Sequence, residues 1–148
     1  MRMLVLGAGQ QGTACAYDLL TQTSHDVVYI MEGQAGKEST GGTLRLGDYP
    51  AVLVPKSTTA RLYKSLDVIE RHRHRYEVNR AHEAVFNKGG LVVSGTSPDG
   101  KLVEFVEAPM NDFFVATQAH PEFKSRPSRA HPLFNGFIKH VVDIAVRS

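Results

Sequence analysis

The sequence predicts a three-layer α/β (or α+β) domain that opens with a strand–turn–helix–strand unit. Three observations carry this reading: short apolar runs of strand character recur along the chain, segments with helical spacing of apolar residues lie between them, and glycine-rich turns separate the two. The 148 residues are 42% hydrophobic and 22% charged, enough for one globular domain with a moderate core.

Met3 to Leu6 is a first apolar run of strand type, ended by glycines. Thr13 to Leu20 places Ala14, Tyr17 and Leu20 at helical spacing, and Val27 to Met31 is a second apolar run, short enough for a buried strand of a parallel sheet and closed by Glu32. Gly33 to Gly42 reads as a loop. Thr43 to Leu46 and Ala51 to Val54 read as strand pieces parted by a turn at Gly47-Asp48. Ser57 can cap a short helix to Ser65. Val68 to Val78 is a charged strand, and Asn79 opens a short helix to about Phe86 that Lys88-Gly89-Gly90 stops. Leu91 to Ser94 and Leu102 to Glu107 form a hairpin around Ser97-Pro98-Asp99-Gly100. Phe113 to Thr117 reads as a buried strand. Pro132 to Val146 sets Leu133, Phe137, Val141 and Ile144 on one face of a terminal amphipathic helix.

Composition narrows the function classes. A net charge of +2 with interspersed signs, and a pI of 8.8, is too mild to imply nucleic acid. No apolar run approaches the roughly 20 residues of a membrane span, and the N-terminal run lacks a signal-peptide core. The single cysteine, Cys15, excludes an internal disulfide framework and fits a reducing cytoplasm.

Chemistry concentrates in Gln118-Ala119-His120-Pro121-Glu122-Phe123, directly after a strand. A general base needs an imidazole, and the imidazole needs a carboxylate to fix its tautomer and stabilise its charged form. His120 and Glu122, two residues apart at a strand end, can converge, and Pro121 stiffens the connection. Alone the triplet is weak, since a histidine and a glutamate on a surface loop are common. In Arg71-His72-Arg73-His74-Arg75, strand alternation puts the arginines on one face and the histidines on the other. His-x-His can hold a metal, but no cluster of further ligands is evident and the arginines would repel a cation, so no metal is expected. Phosphate binding and a plain solvated strand both remain open. His25, His82 and His140 carry no motif and read as surface residues.

The order of motifs adds to this. Gly41-Gly42-Thr43-Leu44-Arg45-Leu46-Gly47 is followed by Glu70 to Asn79, then by Ser94-Gly95-Thr96-Ser97-Pro98-Asp99-Gly100, Phe114 to Phe123, His131-Pro132-Leu133-Phe134 and Gly136-Phe137. From about Gly41 to Ile138 the chain resembles the C-terminal part of the glutaminase domain of the CTP synthases, within the class I glutamine amidotransferases. The resemblance implies a three-layer class I amidotransferase sheet, here truncated. It implies His120 as general base and Glu122 as its orienting acid in a Cys-His-Glu triad, and Arg75 as an arginine that helps hold substrate glutamine. The implied chemistry is that of a glutamine-hydrolysing ligase of pyrimidine biosynthesis: ammonia from glutamine passes to a synthase domain that aminates UTP with ATP.

The family nucleophile is a cysteine on a Gly-x-Cys-x-Gly-x-Gln elbow, which exposes the thiolate and supplies backbone donors to the oxyanion. Here Gly7-Ala8-Gly9-Gln10-Gln11-Gly12 takes that place, with glycine where the cysteine belongs. Cys15 lies in the helical segment and reads as a packing residue. The family's oxyanion loop and synthase domain are expected to be missing, so glutamine hydrolysis is not expected of this chain alone.

Residues 1–33 support a further reading. Gly7-x-Gly9-x-x-Gly12 follows a strand and opens a helix, as a dinucleotide fingerprint requires, and Glu32 stands where an acid would take the ribose hydroxyls. This Rossmann-like stretch resembles the start of saccharopine and lysine dehydrogenases, which would imply NAD(P). The expected organisation is therefore a βαβ unit at 1–33 and a glutaminase-type part at 34–148. Three readings stay open: a glutaminase fragment without turnover, a small NAD(P)-binding module, and a non-catalytic partner of a full-length CTP synthase. A truncated sheet would expose edges, which also leaves homo-oligomers open.

Overall fold

The structure is a computed structural model that describes residues 45–74, 76–78 and 80–147, together with the strand backbones at 3–5, 27–29 and 32–33. Strands β1 (Met3–Val5) and β2 (Val27–Tyr29) pair in parallel, Met3 opposite Val27, as expected for the flanks of a strand–helix–strand unit. Glu32 lies beyond β2, which is described to Tyr29. It sits in β3 (Glu32–Gly33), which pairs antiparallel with a later two-residue strand, Glu32 opposite Glu77.

The rest is built on five antiparallel strands. β4 (Arg45–Leu53) is followed by helix α1 (Thr58–Tyr63) and β5 (Asp67–His74). β6 (Tyr76–Glu77) is the partner of β3, and α2 (Glu83–Lys88) follows a 3₁₀ turn at Arg80–His82. β7 (Val92–Thr96), β8 (Val103–Glu107) and β9 (Val115–Thr117) complete the sheet in the order β5-β4-β7-β8-β9, and α3 (Pro132–Arg147) ends the chain.

Ser57 caps α1 as expected, its hydroxyl accepting from the Ala60 N–H at 3.0 Å. The hairpin around Ser97–Gly100 forms, with Val92 opposite Glu107. The turn placed at Gly47-Asp48 does not. β4 runs unbroken because Gly47, at φ +103°, takes the left-handed backbone within the ladder while staying opposite His72. Among the described residues β4 pairs with β7 only at Val52 and Leu53, so Pro50 has only β5 beside it, an edge-like setting that a proline tolerates. The charged strand foreseen over 68–78 is two strands, β5 and β6. The last strand is half-buried rather than buried, and among the described residues β9 has only β8 beside it in the sheet.

The sheet curls. β5 and β9 are its outer strands, yet His120, three residues beyond β9, donates its N–H to the Arg71 carbonyl in β5 at 2.8 Å. Edges far apart in strand order thus meet in space, through the accumulated twist of the strands. β8 is buried at all five positions and feeds two apolar clusters. Val103 and Val106 pack with Val78, Phe86 and Leu91, and Phe105 packs with Ala51, Leu53, Ala60 and Leu133. The stripe on α3 is present, but of Leu133, Phe137, Val141 and Ile144 only Leu133 is buried.

Candidate active site

β9 delivers the catalytic candidates. After Thr117 the chain passes through Gln118 and Ala119 to His120, then turns into a single 3₁₀ turn at Pro121–Phe123. The fixed φ of Pro121 suits the start of that turn and brings Glu122 back toward the imidazole. His120 Nδ1 lies 2.7 Å from Glu122 Oε1. A carboxylate only accepts, so Nδ1 carries the hydrogen and Nε2 remains the basic nitrogen, the protonation pattern a general base needs. The imidazole also stacks on Phe123, ring centres 5.3 Å apart. Partial desolvation works to raise the Glu122 pKa. The hydrogen bond from His120, a backbone N–H, and the charges of His120 and Arg73 outweigh it and hold the carboxyl below its ordinary value.

Beside this pair lies an open groove of ≈ 450 Å³ lined by Leu46, Arg71, His72, Arg73 and Phe123. The alternation read from the sequence is realised here: Arg71 and Arg73 are exposed, whereas His72 is buried. The Arg73 guanidinium stands 5.9 Å from the Phe123 ring, so cationic and aromatic groups share one wall. Such a groove suits a small ligand carrying a carboxylate.

Behind the groove is a buried polar cluster. Arg45 Nη2 donates to Glu104 Oε1 at 2.6 Å, and Nη1 reaches both oxygens of Glu77 at 3.3 and 3.4 Å. His72 Nδ1 is 2.8 Å from His74 Nε2, and His72 Nε2 is 3.5 Å from Glu104 Oε2. The Gln118 carboxamide donates to Glu77 Oε2 at 2.8 Å and to the Val103 carbonyl at 2.6 Å. Arg45 also lies over the Tyr49 ring at 4.5 Å. Burial pushes the His72 pKa down to about 3, helped by the charges of Arg45, His74 and His120, so this imidazole is neutral in the fold. Burial pushes the Glu104 pKa up, against the bond and charge of Arg45, and the nearby Glu77 adds to the rise.

A second buried group ties α3 to the sheet. Tyr63 donates to Glu70 Oε1 at 2.9 Å, and His131 Nε2 lies 2.9 Å from the same oxygen. His131 Nδ1 accepts the Leu133 N–H at 3.3 Å, which places the hydrogen of a neutral ring on Nε2.

The structure therefore brings His120 and Glu122 together. Arg75, Gly7, Gly9 and Gly12 lie outside the described residues, as does His25. Glu32 is placed in β3. His82 is exposed, and His140 is half-buried with its ring on Phe113. Sequence reasoning missed Arg45, Glu77, Glu104 and Gln118 as a cluster. The signal available was weak: charged residues inside otherwise strand-like segments, such as Glu104 in Val103-Glu104-Phe105-Val106. Among the described residues no group of three histidine, cysteine or acidic side chains could hold a metal ion, and no helix is long and apolar enough to cross a membrane.

Comparison with known proteins places these residues in context. The family model described as "Glutamine amidotransferase class-I" matches residues 3–140. The chain is 51% identical over 122 residues to a CTP synthase of Methanococcus maripaludis, covering 82% of this chain and 23% of that protein. It is 60% identical over 111 residues to a CTP synthase of Acidothermus cellulolyticus, covering 74% of this chain and 20% of that one. It thus spans only about a fifth of the length of the curated relatives it matches. Among solved structures, the Trypanosoma brucei CTPS glutaminase domain with bound acivicin superposes with a TM-score of 0.70 at 31% identity, over 96% of this chain and 60% of that chain. A Thermoplasma acidophilum protein described as a GMP synthase component shares the fold alone, with a TM-score of 0.57 at 10% identity, over 96% of this chain and 73% of that one.

Proposed function

The chain belongs to the class-I glutamine amidotransferase family, and from that premise we propose that it is a CTP synthase-type glutaminase module that keeps the base half of its triad but does not turn glutamine over by itself. The observation that carries this reading is the 2.7 Å contact from His120 Nδ1 to Glu122 Oε1 beside the groove of Arg71, Arg73 and Phe123. In glutamine hydrolysis a thiol attacks the side-chain amide, a base takes the thiol proton, and the same group returns it to the leaving ammonia. His120 Nε2 is the nitrogen available for that transfer, and Glu122 stabilises the imidazolium that forms. The groove accounts for substrate: exposed arginines for its carboxylate, with Arg75 added by resemblance. The sequence offers no counterpart of the nucleophile, since the chain's one cysteine is Cys15 and position 9, where the family motif has its cysteine, is glycine.

Two measurements test this. Purified protein mixed with glutamine should release no ammonia above buffer. A calorimetric titration with glutamine should saturate, and weaken on Arg75→Ala. Ammonia release that His120→Ala abolishes would overturn the inactivity, and an absence of glutamine binding would overturn the module.

The parallel pairing of β1 with β2 favours a second reading, in which Gly7, Gly9, Gly12 and Glu32 form an NAD(P) site. Saturable NADH binding lost on Gly9→Phe is the result expected of it; a flat titration removes it and leaves the glycine turn as a structural substitute for the elbow.

A further inference from the structure

The His120–Glu122 contact is open to water: 36% of the His120 side chain and 55% of the Glu122 side chain remain accessible. A pair so exposed is screened and gives weak orientation. Besides Phe123, on which the ring stacks, the backbone that carries His120 is itself anchored. Gln118, two residues upstream, is bonded three times, twice to β8 and once to β6. Its main-chain N–H donates to the Glu104 carbonyl at 3.2 Å. Its carboxamide nitrogen donates to the Val103 carbonyl at 2.6 Å and to Glu77 Oε2 at 2.8 Å. Glu77 is in turn held by Arg45. Beyond Gln118, Ala119 N–H caps back onto Thr117 Oγ1 at 3.0 Å, and His120 N–H reaches the Arg71 carbonyl at 2.8 Å. The stretch from Gln118 to His120 is therefore clamped to β8 and β6 at one end and to β5 at the other.

We propose that Gln118 is a positioning residue for the base: its carboxamide, anchored on Glu77 and Val103, sets the backbone from which His120 meets Glu122. This rests on the reading of His120 and Glu122 as the base pair. The side chain does not touch the reacting atoms. It acts through the backbone, because both of its N–H bonds are spent on Val103 in β8 and Glu77 in β6, and the anchored groups that follow are the Ala119 N–H, on Thr117, and the His120 N–H, on Arg71. A purely structural glutamine would affect only how firmly β9 is attached. A positioning one also decides which imidazole nitrogen keeps the hydrogen, since that choice depends on the Nδ1–Glu122 alignment.

The experiment is NMR of the full chain labelled with ¹⁵N-histidine, reading the His120 ring nitrogens where the ring is neutral. The wild type should hold the hydrogen on Nδ1. Gln118→Met, which keeps length and volume but removes both donors, should raise the Nε2–H fraction by about twofold or more while cooperative unfolding persists. Gln118→Asn, a milder change that shortens the reach by one methylene, should move it in the same direction and serves if the methionine variant fails to fold. Ser57→Ala, which removes the cap of α1 and none of the bonds around Gln118, should leave the tautomer unchanged. An unchanged tautomer in the folded Gln118 variants overturns the inference. The base-pair reading has its own arm: Glu122→Ala should release the Nδ1 hydrogen, and if it does not, that reading fails whatever Gln118 does.

Discussion

His72 is 1% exposed, and its neutral form is the one the fold accepts. Its pKa falls from 6.5 to about 3, so between those values the unfolded chain binds a proton that the folded chain refuses. The contribution of His72 to stability is therefore complete above pH 6.5 and is lost as pH falls from there toward about 3. Urea denaturation across that window should show falling stability, and His72→Gln should flatten part of the slope. Glu122 has a depressed pKa too: its contribution is present above the ordinary carboxylate range and lost as pH falls through the lowered folded value. Its exposure keeps the stability effect small, so it is better followed by carbon NMR of the carboxyl, whose midpoint should rise toward the ordinary value in His120→Ala. These two residues also show what a sequence can disclose about a site. His120 and Glu122 are two positions apart, so their meeting is a local event that a short motif can carry. Arg45 meets Glu77 across 32 positions and Glu104 across 59, and Gln118 meets Glu77 across 41. Such partners are chosen by the curl of the sheet, and nothing in the neighbourhood of any one of them names the others.

At the scale of elements, local chemistry again decides what was legible. Ser57 announces α1 because a cap bond closes within three residues. Gly47 suggested a turn, but it is a glycine in a long antiparallel ladder, and ladder pairing with β5 overrides the local break. Gly95 in β7 has the opposite character. A Cβ there would lie 2.8 Å from Leu53 Cδ2 and 2.8 Å from Phe105 Cδ2, and both neighbours are fully buried. Gly95→Ala should cost about 1–3 kcal/mol by overpacking, read as a lower urea midpoint with an unchanged slope. Helix α3 divides along its length in the same way. Leu133 sits in the cluster with Phe105 and Leu53, so Leu133→Ala should cost about 2–5 kcal/mol. Val141 is 45% exposed, and Val141→Ala should stay near about 0.5 kcal/mol. Thermal melts of the two variants side by side check the contrast. The apolar spacing of α3 was visible in the sequence, but which turn of the helix is buried depends on where α1 crosses it. Gly136 marks that approach, since a Cβ there would stand 2.3 Å from Leu62 Cδ2.

At the scale of the molecule, the curl that joins β5 to the end of β9 encloses charge as well as apolar side chains. Arg45 is the link: from β4 it spans to Glu77 in β6 and Glu104 in β8, all three buried. Arg45 carries the positive charge that Glu77 and Glu104 both meet. Removing it while keeping its bulk, as in Arg45→Met, takes from the fully buried Glu104 the guanidinium that bonds it at 2.6 Å. Breaking a buried ion pair from one side costs about 3–5 kcal/mol, several times the value of a surface pair. The deficit has a sign with pH. The Glu104 pKa is already raised by burial against the pull of Arg45, and without Arg45 that opposition is gone, so the carboxyl rises further. A raised carboxyl favours the folded state at low pH and loses that advantage as pH climbs through its folded value. The gap between Arg45→Met and wild type in urea denaturation should therefore be widest near neutrality and narrow on acidification, as protonation neutralises Glu104. A gap independent of pH would mean that Arg45 stabilises the sheet through packing on Tyr49 alone, and that the strands are held together without the charges they enclose.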